Sequence, residues 1–143
     1  MTRLHLPMAM LLVATPLFAQ DNAATRKLTE QSKQFEEQVI KVADNVYTAV
    51  GFSVSNVSMI VGDDGVVIVD TGMMVGDANR IAAEFRKISG KPIKAIVFTH
   101  SHGDHTGGAA AFLGSERPQI WAHKNFGSEA SPWKAGGLTF QNV

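Results

Sequence analysis

Three of the five histidines fall inside one six-residue window, His100-Ser101-His102-Gly103-Asp104-His105, which also holds an aspartate. The apolar run Ile93-Lys94-Ala95-Ile96-Val97-Phe98 leads straight into it and reads as a buried strand, so the histidines sit where a strand ends. If the backbone stays extended past Phe98, alternation with a period of two sends His100, His102 and Asp104 to one side and His105 to the other. Neutral imidazole nitrogens and a carboxylate oxygen are ligands for zinc, and less often for iron or manganese. Gly103, Gly107 and Gly108 remove side-chain bulk, which lets the loop wrap a cation and the next helix start close by. The plainer reading is a solvated loop or a purely structural site. Four candidate ligands at this spacing directly after a strand weigh against it.

The segments before the window supply a scaffold. Val46-Tyr47-Thr48-Ala49-Val50 reads as a short strand, where regular structure is expected to begin. Two β-branched runs, residues 57–61 and 66–69, are joined by Gly62-Asp63-Asp64-Gly65, a composition suited to a tight hairpin turn. From Asp77 onward, Ala78, Ile81, Ala82, Phe85 and Ile88 recur at helical spacing, and Gly90 and Pro92 end the segment. Strand, helix and strand make a βαβ crossover with its two strands parallel. Both Asp70 and the histidine window then lie at the carboxyl ends of parallel strands, where such sheets carry their ligand loops. Asp70 can cap the loop after its strand through backbone amides, or it can take a hydrogen bond from a metal-bound histidine.

Downstream, residues 109–113 read as a short helix and Gln119-Ile120-Trp121-Ala122 as a strand. His123 follows that strand and is read first as a loop residue. Trp121, Phe126 and Trp133 are read first as packing residues and second as a pocket lining. Residues 138–143 start like another strand.

Residues 1–19 combine one early cation, Arg3, with an apolar stretch and a Leu17-Phe18-Ala19 end before polar Gln20. That is the pattern of a secretory signal peptide cleaved after Ala19, which places the protein outside the cytoplasm, in a periplasm. The stretch is too short and too broken by Pro7 and Pro16 to span a membrane, and no other segment does better. Residues 20–43 are polar and charged, and read as a linker or surface helix. A formal net charge of zero without a basic cluster argues against nucleic-acid or anionic-membrane partners. With no cysteine, disulfides and thiolate zinc sites are excluded.

The window resembles the HxHxDH signature of the metallo-β-lactamase fold superfamily of metallohydrolases. Within that superfamily, Gly51-Phe52-Ser53-Val54-Ser55-Asn56, the stretch from Gly62 to Gly72, and Lys91-Pro92-Ile93-Lys94-Ala95-Ile96 are similar to the alkylsulfatase-like branch. The resemblance runs from Val39 to His123. It implies an α/β fold, an αββα sandwich built from two similar halves, of which residues 44–143 supply the N-terminal half. The chain is accordingly expected to be a fragment or a truncated gene product. An uncovered half sandwich would expose apolar sheet and edge strands.

For a complete protein the resemblance implies a metal-dependent hydrolase that uses a metal-bound hydroxide on a small-molecule substrate, an anionic alkyl sulfate ester. Zinc is the implied cofactor, two ions in the complete protein, with iron or manganese as substitutes. His100 and His102 would hold the first metal, and Asp104 and His105 the second. Asp104 would also take a catalytic part by receiving a proton from the nucleophile, and Asp70 would orient a ligand histidine. A β-lactamase or lactonase would use the same ligands. A flavin-linked or non-haem iron redox enzyme is a more distant option. From a different class stands an inactive metal-binding fragment, because the third histidine and bridging carboxylate expected later in the family have no counterpart after His123.

Overall fold

The computed structural model describes residues 22–115, 117–126 and 141–142. The expected signal peptide and Trp133 lie outside them. Two compact units divide between Gln31 and Ser32. Helix α1 (Ala23–Ser32), none of whose residues is buried, lies in the first up to Gln31. Asn22 caps it: its Oδ1 accepts the Thr25 N–H at 3.0 Å, one of the donors a helix start leaves without an internal partner. No helix among the described residues is long and apolar enough to cross a membrane.

The second unit is a seven-stranded mixed sheet whose strands follow one another in sequence order: β1 (Gln38–Ala43), β2 (Val46–Val50), β3 (Val57–Val61), β4 (Val66–Val69), β5 (Ile93–Val97), β6 (Gln119–Ala122) and β7 (Gln141–Asn142). The first four pair antiparallel, and β4 through β7 pair parallel. The Gly62–Gly65 turn closes the β3–β4 hairpin with a 2.8 Å bond from the Gly62 N–H to the Gly65 carbonyl, setting Val61 opposite Val66.

Helix α2 (Val75–Ile88) supplies the crossover that lets β5 run parallel to β4. Its buried residues are Ala78, Ile81, Ala82 and Phe85, the i, i+3, i+4, i+7 stripe that the sequence carries. They join Val57, Met59, Val66, Ile68, Ile96, Phe112 and Ile120 in one core. Along β4, buried Val66 and Ile68 alternate with half-buried Val67 and Val69, so one face of the sheet is more deeply covered than the other.

Regular structure begins earlier than Val46. Within the stretch read as linker or surface helix, a single 3₁₀ turn (Lys33–Phe35) precedes β1. Strand β1 pairs with β2 from Gln38 opposite Val50 to Ala43 opposite Val46. It lies at the sheet edge with only Val39 even half-buried, so no apolar alternation marked it.

Candidate metal centre

The site lies where β4 and β5 end side by side. The Asp70 N–H bonds to the Val97 carbonyl at 2.9 Å, directly after β4. There the chain turns sharply, because Asp70 has a left-handed backbone with φ of +58°. Aspartate tolerates that region better than most residues do. Its side chain is 8% exposed and is hydrogen-bonded at both oxygens. Oδ1 accepts the Thr99 N–H at 2.9 Å, and Oδ2 accepts the Thr99 hydroxyl at 2.8 Å. The same Oδ2 lies 2.8 Å from His105 Nδ1. Asp70 therefore ties the loop after β5 to a histidine ring; the backbone amide that it takes belongs to that neighbouring loop and not to the one after its own strand.

Extended backbone does not continue to His105. The backbone already bends at Thr99, His100 and Ser101, and after His102, whose φ of −69° and ψ of 147° are extended, residues Gly103–Thr106 form the one-turn helix α3. That turn brings His105 back to the side of the other histidines. Its ring centroid lies 4.0 Å from that of His100, and the His100 and His102 centroids lie 4.6 Å apart. The placement of His105 on the opposite side is thus corrected: period-two alternation needs extended backbone, and the chain bends at residues 99–101 and then turns into α3.

Two loops brace the turn. The Thr71 N–H and hydroxyl both donate to the His105 carbonyl, at 2.7 and 2.9 Å. The Ser55 hydroxyl donates to the Asp104 carbonyl, and the Ser53 hydroxyl accepts the Met73 N–H at 3.0 Å. Gly107 and Gly108 make this approach possible. A Cβ on Gly107 would fall on the Met73 carbonyl oxygen, and one on Gly108 would fall on the Thr71 carbonyl oxygen. Helix α4 (Ala110–Leu113) follows and buries Phe112. Two of the three glycines expected to let the loop wrap an ion, Gly107 and Gly108, thus serve close backbone packing.

The donor chemistry suits a divalent cation. An ionised Asp70 only accepts hydrogen bonds, so the neutral His105 ring carries its proton on Nδ1 and keeps Nε2 bare. In that form Nε2 faces Asp104 Oδ2 at 3.4 Å, and a nitrogen and a carboxylate oxygen side by side are the donors that a divalent cation takes. His100 and His102 are exposed beside them, and Asp104 is one-third exposed. Among the described residues, no three His, Cys, Asp or Glu side chains stand already arranged to hold an ion. The cluster offers donors without a closed cage.

His123 is occupied locally: its Nδ1 accepts the Asn125 N–H at 3.2 Å, within a turn closed by the Phe126 N–H on the His123 carbonyl. Phe126 stacks on buried Phe98 at 5.7 Å, as a packing residue does, whereas Trp121 is half-buried and donates to Gln119 on its own strand.

Comparison with known proteins adds the family. The model of the metallo-beta-lactamase superfamily matches residues 50–141, which hold every candidate ligand and Asp70. The chain belongs to the metallo-beta-lactamase superfamily. Among superfamily relatives, a linear primary-alkylsulfatase of a Pseudomonas species is 54% identical over 59 residues, 41% of this chain and 11% of that protein. A stereoselective inverting sec-alkylsulfatase from Pseudomonas superposes with a TM-score of 0.60 at 28% identity, over 66% of this chain and 16% of that one. A metallo-beta-lactamase from Hirschia baltica superposes with a TM-score of 0.54 at 26% identity, over 64% and 45%. The chain thus spans about a tenth of the alkylsulfatase relative.

The superfamily signature drew attention to His100, His102, Asp104 and His105, and passed over the hydroxyls that position them. Thr99 touches both Asp70 and the His100 ring, whose Nδ1 lies 3.0 Å from its Oγ1. Thr71 and Ser55 hold the α3 carbonyls. A hydroxyl immediately before the first histidine was a visible signal for Thr99; Ser55, 49 residues from Asp104 in sequence, gave none.

Proposed function

We propose that this chain carries the metal-ligating, strand-end part of an exported hydrolase that acts on alkyl sulfate esters. The observation that carries the reading is the clustering of the His100, His102 and His105 rings, with the Asp104 carboxylate beside His105 and the buried Asp70 holding that ring, at the joint ends of β4 and β5. The similarity to named alkylsulfatases supports the ester class. His100, His102, Asp104 and His105 would hold the metal, zinc by the chemistry of the donors, with room in the motif for two ions. Bound there, a divalent cation would activate a water and offset the negative charge of a sulfate ester. The chain's own contribution is positional. Asp70 fixes the His105 ring, Thr71 and Ser55 fix the α3 backbone, and Asp104 presents a carboxylate able to take a proton from the attacking water.

The test is turnover of dodecyl sulfate, a cephalosporin and an acyl lactone by a longer protein that contains this segment. Zinc content is measured alongside. Hydrolysis of the sulfate ester alone, lost with the metal in His102→Ala and Asp104→Ala, supports the reading. Turnover unchanged in both variants sinks it, and preference for the cephalosporin moves the assignment to a β-lactamase. The open donor set favours one second reading for the chain by itself, a metal-binding polypeptide without catalysis. Export to a periplasm belongs to the proposal, and N-terminal sequencing of the protein recovered from that compartment should start at Gln20.

A further inference from the structure

Asp70 reaches one histidine directly, and the hydrogen bonds around Thr99 extend its reach to a second. The Thr99 hydroxyl has one proton, and its 2.8 Å contact with Asp70 Oδ2 uses it, because an ionised carboxylate only accepts. The same Oγ1 lies 3.0 Å from His100 Nδ1. With its proton committed to Asp70, the hydroxyl can meet that nitrogen only as an acceptor. The neutral His100 ring must then carry its proton on Nδ1 and leave Nε2 bare. The Thr99 N–H, bonded to Asp70 Oδ1 at 2.9 Å, pins the hydroxyl's own backbone, so the relay has little freedom to reorient.

We propose that Thr99 is a positioning residue that passes the Asp70 charge to His100, so that one buried carboxylate sets the tautomer of two imidazoles. His105 is set by direct contact and His100 through a single hydroxyl. Both rings then present an unprotonated Nε2, the form a metal requires, before any metal arrives. This inference rests on the metal-binding reading, yet its central claim concerns the metal-free chain.

The test is a long-range ¹H–¹⁵N spectrum of the metal-free chain, recorded across a pH series so that the neutral form of each ring is read directly. Wild type should show His100 and His105 both protonated at Nδ1. In Thr99→Val, which keeps the shape and removes the hydroxyl, His100 should move to the Nε2–H form that an unconstrained imidazole favours. His105 should keep its Nδ1 proton, an internal check that the variant has folded. Thr99→Ser should restore the wild-type pattern. Zinc affinity, read by competition with a chelator, should fall about 10–100-fold in Thr99→Val and little in Thr99→Ser. A wild-type His100 in the Nε2–H form overturns the relay without any variant, as does a Thr99→Val protein whose His100 keeps its Nδ1 proton. If the wild-type tautomers are as stated but zinc does not bind, the relay stands and the metal-binding reading fails.

Discussion

Asp70 concentrates several demands on one side chain: a left-handed backbone, burial, and three hydrogen bonds from Thr99 and His105. Two substitutions separate these demands. Asn tolerates the positive φ nearly as well as Asp and keeps the size, so Asp70→Asn removes the charge and one acceptor oxygen while leaving the backbone turn in place. Its neutral amide no longer accepts at both positions, and one of the donors is left without its partner. The expected cost is about 1–3 kcal/mol in stability, by denaturant unfolding, with about a 10–100-fold loss of zinc affinity. Asp70→Ala should lose about 1–2 kcal/mol more, because alanine lacks the local hydrogen bonding that eases the left-handed conformation. Equal stability of the two variants would mean that the backbone turn carries no strain. Asp70 was legible in the sequence as an aspartate at a strand end. That it meets a histidine was expected, but which histidine was not, because the His105 contact needs the α3 turn, and a four-residue helix leaves no periodic trace.

Among the elements, those with a strong local pattern were readable. The hairpin, α2 and β6 all carry their cause in consecutive residues: turn chemistry between β-branched runs, an apolar stripe at 3.6 spacing, a short apolar strand after Pro118. Strand β1 escaped because its structure comes from pairing with β2 at the sheet edge, with little burial to impose alternation. The meeting of the 71–73 loop with α3 is likewise a tertiary fact. Gly108 tests it, since a Cβ there would fall on the Thr71 carbonyl oxygen and lie 2.6 Å from the Ala78 Cβ. Backbone and α2 cannot both yield, so Gly108→Ala should destabilise by about 2–4 kcal/mol and loosen the His105 contact to Asp70. Gly76→Ala in α2 is the matched control: nothing lies within 4 Å of its added methyl, and the helix should gain about 0.5 kcal/mol. Thermal unfolding of both variants reads the contrast, and similar melting temperatures would mean that the 71–73 loop does not press on the site.

At the scale of the whole molecule, the site and the sheet are one cooperative object. The carboxylate at the end of β4 binds Thr99, the second residue after β5, and the crossover through α2 holds those two strands side by side. Opening the β4–β5 ladder therefore dismantles the ligand cluster, and an ion held by that cluster resists the opening. Binding to the folded chain alone raises stability by RT ln(1 + [L]/Kd), about 2.7 kcal/mol at a hundredfold excess over Kd. Zinc should accordingly raise the melting temperature of the wild-type chain, and a chelator should reverse the rise. The dependence on free zinc should be logarithmic, since each added tenfold contributes about 1.4 kcal/mol. His102 is exposed and packs little, so His102→Ala should leave the metal-free melting temperature nearly unchanged while removing most of the zinc-induced rise. Asp70→Asn should reduce both. A wild-type chain whose melting temperature ignores zinc across that range would show that these donors do not gather an ion by themselves. The longer superfamily protein would then have to supply the ligands that set affinity.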